Sequence, residues 1–254
     1  MYSNKLTSII CAAYNAAPYI EETITSILSQ TNPDWELIIV DDCSTDNTVD
    51  IVSGYMKLHP NISLIRNEVN LGPGRSRNKG IQSASGRYIA ICDSDDVWYP
   101  EKLELQFNFM QTHQNMAISY TSYELVNEGG EEIRRTVRVA PKPLGFSDYL
   151  KNTIIGFSTS MIDRNRCPLI ELEDLRSRED TLLWCQLLKQ GYKAYGLDKV
   201  LVKYRLHNTS VSADKFESSR LVWELYRDKL NIPLFKRTYY FICYAYHAFK
   251  KRYM

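Results

Sequence analysis

The chain has 254 residues, of which 44% are hydrophobic and 24% are charged, and its formal net charge is +1. This near-neutral balance excludes the strong positive field of a nucleic-acid-binding protein, and the length suffices for one large α/β domain or two small ones. The six cysteines lack C-x-x-C spacing, and no apolar run reaches the roughly 20 residues of a membrane-spanning helix. We therefore expect a cytoplasmic protein with reduced thiols.

The first hundred residues alternate between strand and helix patterns. Four short apolar runs indicate strands, and the fourth, at 88–92, does not alternate with polar residues, which is typical of a strand buried on both faces of a sheet. The predicted strands are 6–13, 35–40, 62–65 and 87–92, and the predicted helices follow Pro18, residues 44–47 and the turn at 71–74. Four strands joined by three helices indicate an α/β fold with a doubly wound, mostly parallel, Rossmann-like sheet.

Polar side chains follow three of these strands, at residues 12–15, 41–42 and 93–96. The carboxyl ends of parallel strands meet at one edge of a sheet, and ligands bind beyond that edge. The sequence therefore predicts that these three segments converge on one binding site.

The turn at 93–96 holds three carboxylates, Asp93, Asp95 and Asp96. In an extended chain Asp93 and Asp95 point to the same side and Asp96 to the other. Two oxygen donors on one side of a strand end suit Mg²⁺ or Mn²⁺ held between protein and phosphate. A solvated acidic turn is the commoner outcome for such a segment, but the two other polar strand ends favour the metal site.

After Pro100 the pattern changes to an α+β arrangement. The predicted elements are a helix after Pro100, a hairpin at 117–138, a strand at 154–162, a helix at 178–190 and strands at 192–197 and 200–206. We interpret this half as an extension of the same sheet. The predicted division is one domain at 1–212, with halves at 1–100 and 101–212, followed by a helical extension at 213–254.

Six sequence segments, in this order, resemble the family 2 glycosyltransferases of the GT-A fold, especially bacterial enzymes of surface-polysaccharide assembly such as O-antigen, capsule or teichuronic-acid-like polymers. They are SIICAAYN at 8–15, ELIIVDDCSTD at 36–46, RNKG at 77–80, DSDD at 93–96, RED at 178–180 and YRLHNTS at 204–210. Each segment is modest alone, but the ordered set is specific and covers nearly the whole chain.

The resemblance implies a metal-dependent, inverting hexosyltransferase that takes a sugar from a nucleotide sugar, with UDP as the expected nucleotide. It implies that 1–212 is the catalytic domain, with a nucleotide-sugar-binding half at 1–100 and an acceptor-binding half at 101–212. The implied nucleotide-sugar-binding residues are Ala12, Tyr14, Asp41, Asp42, Arg77, Asp93, Ser94, Asp95 and Arg205. Tyr14 and Asp42 match positions near the nucleobase. Asp95, with Asp93 and His207, matches the ligands of Mn²⁺ or Mg²⁺, and Arg205 and His207 belong to a loop that closes over the diphosphate.

The same resemblance implies that Asp180 is the general base, and the neighbouring Glu179 and Trp184 are the candidates for the acceptor site. An inverting displacement needs a base on the opposite face of the sugar from the leaving group, hence a carboxylate separate from the acidic turn. Local pattern alone also fits Glu179 and Asp180 as first-turn acids of a helix. Trp184 lies one turn beyond Asp180, and a core position suits it equally well.

The C-terminal segment combines basic and aromatic residues. Residues 236–237 and 250–252 are all Lys or Arg. The interval 238–249 between them holds seven large aromatic or aliphatic side chains. Such a helix lies in a membrane interface, docks on its own domain or forms a homodimer contact. We favour attachment to the inner face of the cell membrane, with a lipid-diphosphate-linked saccharide as acceptor.

Two other classes of protein compete with a glycosyltransferase. A nucleotidyltransferase usually has a glycine-rich, basic loop after the first strand, whereas residues 13–17 contain no Gly, Lys or Arg. A non-catalytic nucleotide-sugar-binding or scaffold protein would be expected to have lost the carboxylate at Asp95 or at Asp180, and both are present. We therefore predict an enzyme with no nucleic-acid partner.

Overall fold

The structure is a computed structural model and describes residues 3–113, 116–175, 177–207 and 215–253. Ten strands in this described part form one sheet: β1 (Ser3–Ala13), β2 (Trp35–Asp41), β3 (Ile62–Arg66), β4 (Gly86–Ile91), β5 (Val97–Trp98), β6 (Ile118–Val126), β7 (Glu132–Val137), β8 (Pro143–Leu144), β9 (Ser160–Asp163) and β10 (Ala194–Arg205). The α-helices of the same residues are α1 (Ile20–Leu28), α2 (Thr48–Leu58), α3 (Pro73–Ser83), α4 (Lys102–Thr112), α5 (Phe146–Lys151), α6 (Glu179–Lys189), α7 (Lys215–Glu224) and α8 (Leu234–Tyr253).

The first half is a parallel sheet in the order β3-β2-β1-β4. Ile9 and Ile10 of β1 are both fully buried and lie in separate hydrophobic clusters on opposite faces. α1 and α2 cover one face, and α3 covers the other. The prediction of a doubly wound sheet is confirmed, and so is the burial of β4 on both faces, since residues 88–91 are all buried.

Two glycines let α3 approach this sheet. Gly72 precedes the helix with φ of 87°, a backbone conformation that favours glycine, and Pro73 then occupies the first helical position. A Cβ on Gly80 would lie 2.6 Å from Cγ2 of Ile10. α3 therefore packs directly against β1, which brings Arg77 close to the carboxyl edge of the sheet.

The second half continues the same sheet, as predicted. β9 pairs antiparallel with β4 and with β6, and β10 pairs parallel with β6. The predicted strands at 192–197 and 200–206 are one strand, β10, which stays continuous because register shifts between Leu197 and Val202 absorb the irregular residues. β9 is shorter than predicted, since residues Phe157–Thr159 form a 3-10 turn.

The C-terminal helices pack on the side of the second half. α7 runs into a π-helical turn at Leu225–Lys229, and α8 packs against α5 and α7. None of the helices in the described ranges is both long enough and apolar enough to cross a membrane. The predicted boundary at residue 212 lies outside the described residues, so the domain division stays a prediction.

Candidate active site

The carboxyl ends of β1, β2 and β4 lie side by side. Ala13 pairs with Asp41, and the backbone N–H of Cys92 donates to the carbonyl of Ile10 at 3.0 Å. Tyr14, Asp42 and Asp93 each follow directly after one of these paired ends. The predicted convergence of the three polar segments is confirmed.

A cleft of about 250 Å³ opens beside these strand ends. Its lining residues are Ala12, Arg77, Asp93, Ser94, Asp95, Tyr204, Arg205 and His207. Seven of these eight residues are ones that the sequence proposed for donor or metal binding, and Tyr204 is the addition. The cleft thus gathers residues from β1, α3, the acidic turn and the end of β10.

A wider depression of about 610 Å³ lies between α3 and α6. Its walls include Arg75, Asn78, Asp174 and Gln186, and Arg75 pairs with Asp174 at 2.5 Å. The depression does not include the acidic turn, whereas the smaller cleft does. We therefore place the chemistry in the smaller cleft.

Asp95 faces His207 across the cleft. Oδ2 of Asp95 lies 2.6 Å from Nε2 of His207, and both side chains keep roughly a quarter of their surface exposed, at 27% and 21%. Burial, followed by the neighbouring charge of Asp93, raises the pKa of Asp95. Negative charge is therefore crowded at this position, and an added cation would relieve the repulsion.

This pair fits a divalent cation. Mn²⁺ accepts both carboxylate oxygen and imidazole nitrogen as ligands. No group of three or more His, Cys, Asp or Glu side chains within the described ranges is arranged as a metal cluster. A site completed by substrate phosphates and water needs only one or two protein ligands, so Asp95 and His207 suffice.

Arg77 connects the acidic turn to α6. Its Nη2 lies 2.6 Å from Oδ1 of Asp93, its Nη1 lies 2.6 Å from Oε1 of Glu179, and the guanidinium stacks 4.6 Å from the centre of the Phe157 ring. Arg77 is only 8% exposed. Its charge is therefore used between two protein carboxylates that are far apart in sequence, and Asp93 is less available to a metal than Asp95 is.

The start of α6 carries the proposed base. Arg178 precedes the helix with φ of 67°, a left-handed conformation that costs a non-glycine residue about 1–2 kcal/mol. Nη2 of Arg178 donates to the hydroxyl of Ser218 in α7, which holds this residue in place. Asp180 follows in the first turn, half-buried, and its Oδ1 accepts a hydrogen bond from the backbone N–H of Thr181 at 2.6 Å.

Arg205 lines the cleft, but its guanidinium is directed at other protein groups. Nε donates to the carbonyl of Asp95 at 2.8 Å, Nη1 to the carbonyl of Glu128 at 2.9 Å, and Nη2 to Oε2 of Glu22 at 2.6 Å. The guanidinium also lies over the ring of Tyr19, whose edge meets His207. In this conformation Arg205 ties the acidic turn to β6–β7 and α1.

The part of the site where the sequence predicts the nucleobase contains one exposed ring and two buried carboxylates. Tyr14 is 53% exposed, as a ring that stacks on a base should be. Asp42 is buried and accepts hydrogen bonds from the backbone N–H groups of Leu71 and Gly72 and from Asn67. Burial opposes ionisation of Asp42, but these hydrogen bonds outweigh it and lower its pKa.

Asp41 is fully buried at the carboxyl end of β2. Its Oδ2 accepts a hydrogen bond from the backbone N–H of Ser44 at 3.3 Å and lies 3.9 Å from Nε of Arg66. Asp41 and Asp42 thus order the loops around the site, and their predicted contact with the base stays a prediction.

The interpretation of Trp184 as an acceptor-site floor is wrong. Trp184 is 0% exposed and packs edge-on against Phe157 at 5.7 Å between ring centres. α6 is buried on several sides, so the residue one turn beyond Asp180 lies in the core and not at the cleft. Glu179 is also buried, and its partner is Arg77.

Sequence reasoning missed three residues that hold the site together: Tyr19, Glu22 and Ser218. Tyr19 and Glu22 contact Arg205 and His207 from the start of α1, and Ser218 holds Arg178. Their partners lie 40 or more positions away along the chain. No local motif marks them, and only the fold brings them to the cleft.

A doubly wound sheet that presents an acidic turn and a helix-borne carboxylate at its carboxyl edge defines a transferase of the GT-A fold. The sequence profile of the glycosyl transferase family 2 matches residues 8–166, more than half of the chain. The chain belongs to this family, and it is a glycosyltransferase.

Three similar proteins show how far the likeness extends. The chain is 43% identical over 247 residues to the "Putative teichuronic acid biosynthesis glycosyltransferase TuaG" of Bacillus subtilis (strain 168), with 97% of each chain covered. It is 35% identical over 247 residues to WfgD of Escherichia coli, named a UDP-Glc:alpha-D-GlcNAc-diphosphoundecaprenol beta-1,3-glucosyltransferase, with 97% of this chain and 94% of WfgD covered.

The third similar protein is known from a solved structure, the mannosyltransferase PcManGT from Pyrobaculum calidifontis in complex with GDP-Man and Mn²⁺. It matches with a TM-score of 0.71 over 99% of this chain and 73% of its own, at 18% identity. At this level of identity the match shows the shared fold.

Proposed function

We propose that the protein moves a hexosyl unit from a UDP-sugar to a saccharide carried on a lipid diphosphate, with inversion at the anomeric carbon, during assembly of a bacterial surface polysaccharide. Two relatives support the substrates. The name of WfgD specifies UDP-Glc as donor and GlcNAc-diphosphoundecaprenol as acceptor. The name of TuaG assigns that protein to teichuronic acid biosynthesis.

The contact of Arg77 with both Asp93 and Glu179 carries this proposal. The two 2.6 Å ion pairs bring the first turn of α6 beside the acidic turn. This supports Asp180, the residue after Glu179, as a base that is carried on a different element from Asp95. A single displacement requires this separation, because the base and the departing diphosphate occupy opposite faces of the sugar.

In the proposed reaction Asp180 takes the proton of the acceptor hydroxyl as its oxygen attacks the anomeric carbon. The bond between that carbon and the UDP oxygen breaks, and the bonding electrons leave with the diphosphate. The hydrogen bond from the backbone N–H of Thr181 to Oδ1 orients the Asp180 carboxylate at the start of α6.

Asp95 and His207 are the proposed ligands of a divalent cation, Mn²⁺ or Mg²⁺, that neutralises charge on the departing diphosphate when bound. Asp93 completes the acidic turn and is oriented by Arg77. The exposed ring of Tyr14 is the proposed stacking surface for the uracil, with the backbone of Ala12 beside it.

A lipid-linked acceptor places the reaction at the inner face of the cell membrane, where UDP-sugars are available. The proposed attachment is peripheral and uses the basic, aromatic α8, since the described helices include none that crosses a bilayer. A homodimer through α8 is the alternative.

The experiment that tests this proposal is a donor panel. Purified protein is incubated with Mn²⁺, a synthetic lipid-diphosphate GlcNAc acceptor and one of UDP-Glc, UDP-GlcNAc, UDP-Gal, GDP-Man or dTDP-Glc, and products are measured by mass spectrometry. We expect a disaccharide product from at least one UDP-sugar, loss of product with EDTA and its recovery with added Mn²⁺. Activity with GDP-Man or dTDP-Glc alone, or full activity in EDTA, would contradict the donor or the metal assignment respectively.

A further inference from the structure

One face of α8 is fixed against the rest of the protein. Tyr244 is 8% exposed in the core, and Phe241 packs edge-on against Trp223 of α7 at 5.2 Å between ring centres. The guanidinium of Arg237 lies 4.6 Å from the centre of the same Trp223 ring. α8 therefore cannot turn about its axis, and its opposite face is held toward the outside.

That outer face carries a stripe of five large side chains: Phe235, Tyr239, Ile242, Tyr246 and Phe249. They are exposed by 87%, 53%, 63%, 59% and 55% respectively. Their spacing of four, three, four and three residues places them on one side of the helix, along about 21 Å at 1.5 Å per residue. Contiguous exposed apolar surface of this kind marks an interaction site.

The charge of the helix indicates what the stripe meets. Residues 234–254 contain no Asp or Glu but five Lys or Arg, at 236, 237, 250, 251 and 252. The basic residues lie at both ends of the stripe. Four of its five members are aromatic, and two of these are tyrosines that also carry a hydroxyl. Aromatic residues flanked by Lys and Arg suit the boundary between lipid head groups and acyl chains.

A second copy of the chain is a poorer partner for this surface. An antiparallel pair of α8 helices would bring Lys236 beside the basic 250–252 segment of the other copy, and a parallel pair would align identical charges. The helix has no acidic residue to offset the repulsion. Anionic lipid supplies the missing negative charge at both ends.

We propose that the stripe of α8 inserts into the head-group layer of an anionic bilayer, with the helix axis parallel to the membrane plane. This inference rests on the proposed action at a membrane surface and adds the face of the protein that contacts lipid. Deleting α8 is a poor test because its inner face covers core residues, so the test uses exposed side chains alone.

The experiment measures co-sedimentation of the full chain with vesicles of phosphatidylcholine and phosphatidylglycerol in a 3:1 ratio, and with pure phosphatidylcholine. The test variant is Phe235→Ser/Ile242→Ser/Phe249→Ser. The matched control replaces three equally exposed apolar residues elsewhere, Leu58→Ser/Val69→Ser/Leu169→Ser. A second variant, Lys236→Glu/Lys250→Glu, tests the charge.

We expect wild type and control to bind the anionic vesicles within twofold of each other, and both α8 variants to bind at least tenfold more weakly. Melting temperatures within 2 °C of wild type, at about the scatter expected for surface substitutions, show that the variants are folded. Equal binding of all four proteins would overturn the proposal. So would a wild-type dimer in light scattering that the stripe variant converts to a monomer without vesicle binding.

Transfer to a short-chain, water-soluble acceptor separates this inference from the proposed function. If wild type transfers sugar to that acceptor but ignores anionic vesicles, the membrane inference is overturned and the proposed function stands. If the stripe-dependent vesicle binding is found but no UDP-sugar is used, the membrane inference stands and the proposed function fails.

Discussion

At the scale of single residues, Arg77 is the side chain that joins the two halves of the site. It is 8% exposed and pairs with Asp93 from the acidic turn and Glu179 from α6. Burial of Glu179, only partly offset by Arg77, raises its pKa. The stability of a protein with such a buried carboxylate depends strongly on the cationic side chain that pairs with it, here Arg77.

We expect Arg77→Met to lower the free energy of unfolding by about 3 kcal/mol, because it leaves the Glu179 carboxylate buried without a counterion. Turnover should fall with it, since α6 loses its connection to the acidic turn. Urea denaturation and steady-state rates measure the two effects.

The matched control is Arg75→Met, which breaks an ion pair with Asp174 in which both side chains are 54% exposed. Its cost should stay below about 0.5 kcal/mol. Adding Glu179→Gln to Arg77→Met should recover part of the lost stability. An Arg77→Met variant no less stable than Arg75→Met would contradict the role assigned to the bridge.

Lys102 gives a pH-dependent prediction at the same scale. The side chain is 0% exposed, its Nζ lies 3.8 Å from the centre of the Trp98 ring, and burial lowers its pKa to about 7. Between pH 7 and about pH 10 the unfolded chain holds this proton and the folded chain does not. The contribution of Lys102 to stability therefore rises with pH in that interval.

Lys102→Met removes this rise. We compare the free energy of unfolding of the variant with that of wild type at each pH. The variant minus wild-type difference should be larger at pH 7 than at pH 9.5, by on the order of 2 kcal/mol. Lys57→Met, at an exposed position of α2, should show the same difference from wild type at both pH values. Urea denaturation at the two pH values measures these free energies. If the difference between Lys102→Met and wild type is the same at both pH values, the prediction is refuted.

At the scale of elements, α6 shows what sequence predicts and what it does not. Its helical spacing at 178–190 matches the structure, as does the position of Asp180 in the first turn. The side of the helix that meets the cleft is decided by packing, because apolar residues cover several sides of α6. For the same reason the helical spacing of Trp184 fits both an acceptor site and the core, and the packing of α6 puts it in the core.

The two-residue strands β5 and β8 also depend on packing and not on local sequence. Neither is long enough to produce a period-2 pattern, and each forms only because β10 offers an edge for pairing. The long apolar strands of the parallel half could be predicted because burial on both faces dictates their composition.

Ser218 is expected to position the base through Arg178. Its hydroxyl accepts a hydrogen bond from that guanidinium and so supports the left-handed conformation before Asp180. Ser218→Ala should lower kcat about tenfold, with the KM for donor within twofold of wild type, because a charged hydrogen bond contributes about 1.5–3 kcal/mol.

Ser218→Thr keeps the hydroxyl and should restore most of kcat. The control Ser147→Ala, whose hydroxyl bonds to Tyr240 on the surface, should leave kcat unchanged. A loss of melting temperature without any loss of kcat would show that Ser218 is structural only.

At the scale of the whole molecule, one continuous sheet carries both halves of the site. The order β3-β2-β1-β4-β9-β6-β10 puts the end of β10, with Arg205 and His207, across from the acidic turn after β4. Convergence of the three parallel strand ends could be predicted, since topology alone places them at one edge. The partners of Arg77 and Arg205 could not, because they lie up to 183 positions apart and depend on how the halves pack.

The central claim is that Asp180 removes the acceptor proton while other residues hold the donor. Its most direct test compares transfer from the active UDP-sugar by wild type, Asp180→Asn and the control Asp50→Asn, which alters an exposed first-turn acid of α2. We predict that Asp180→Asn lowers kcat about 1,000-fold while the Kd for UDP with Mn²⁺ stays within twofold, and that Asp50→Asn matches wild type. Wild-type turnover by Asp180→Asn would contradict the assignment.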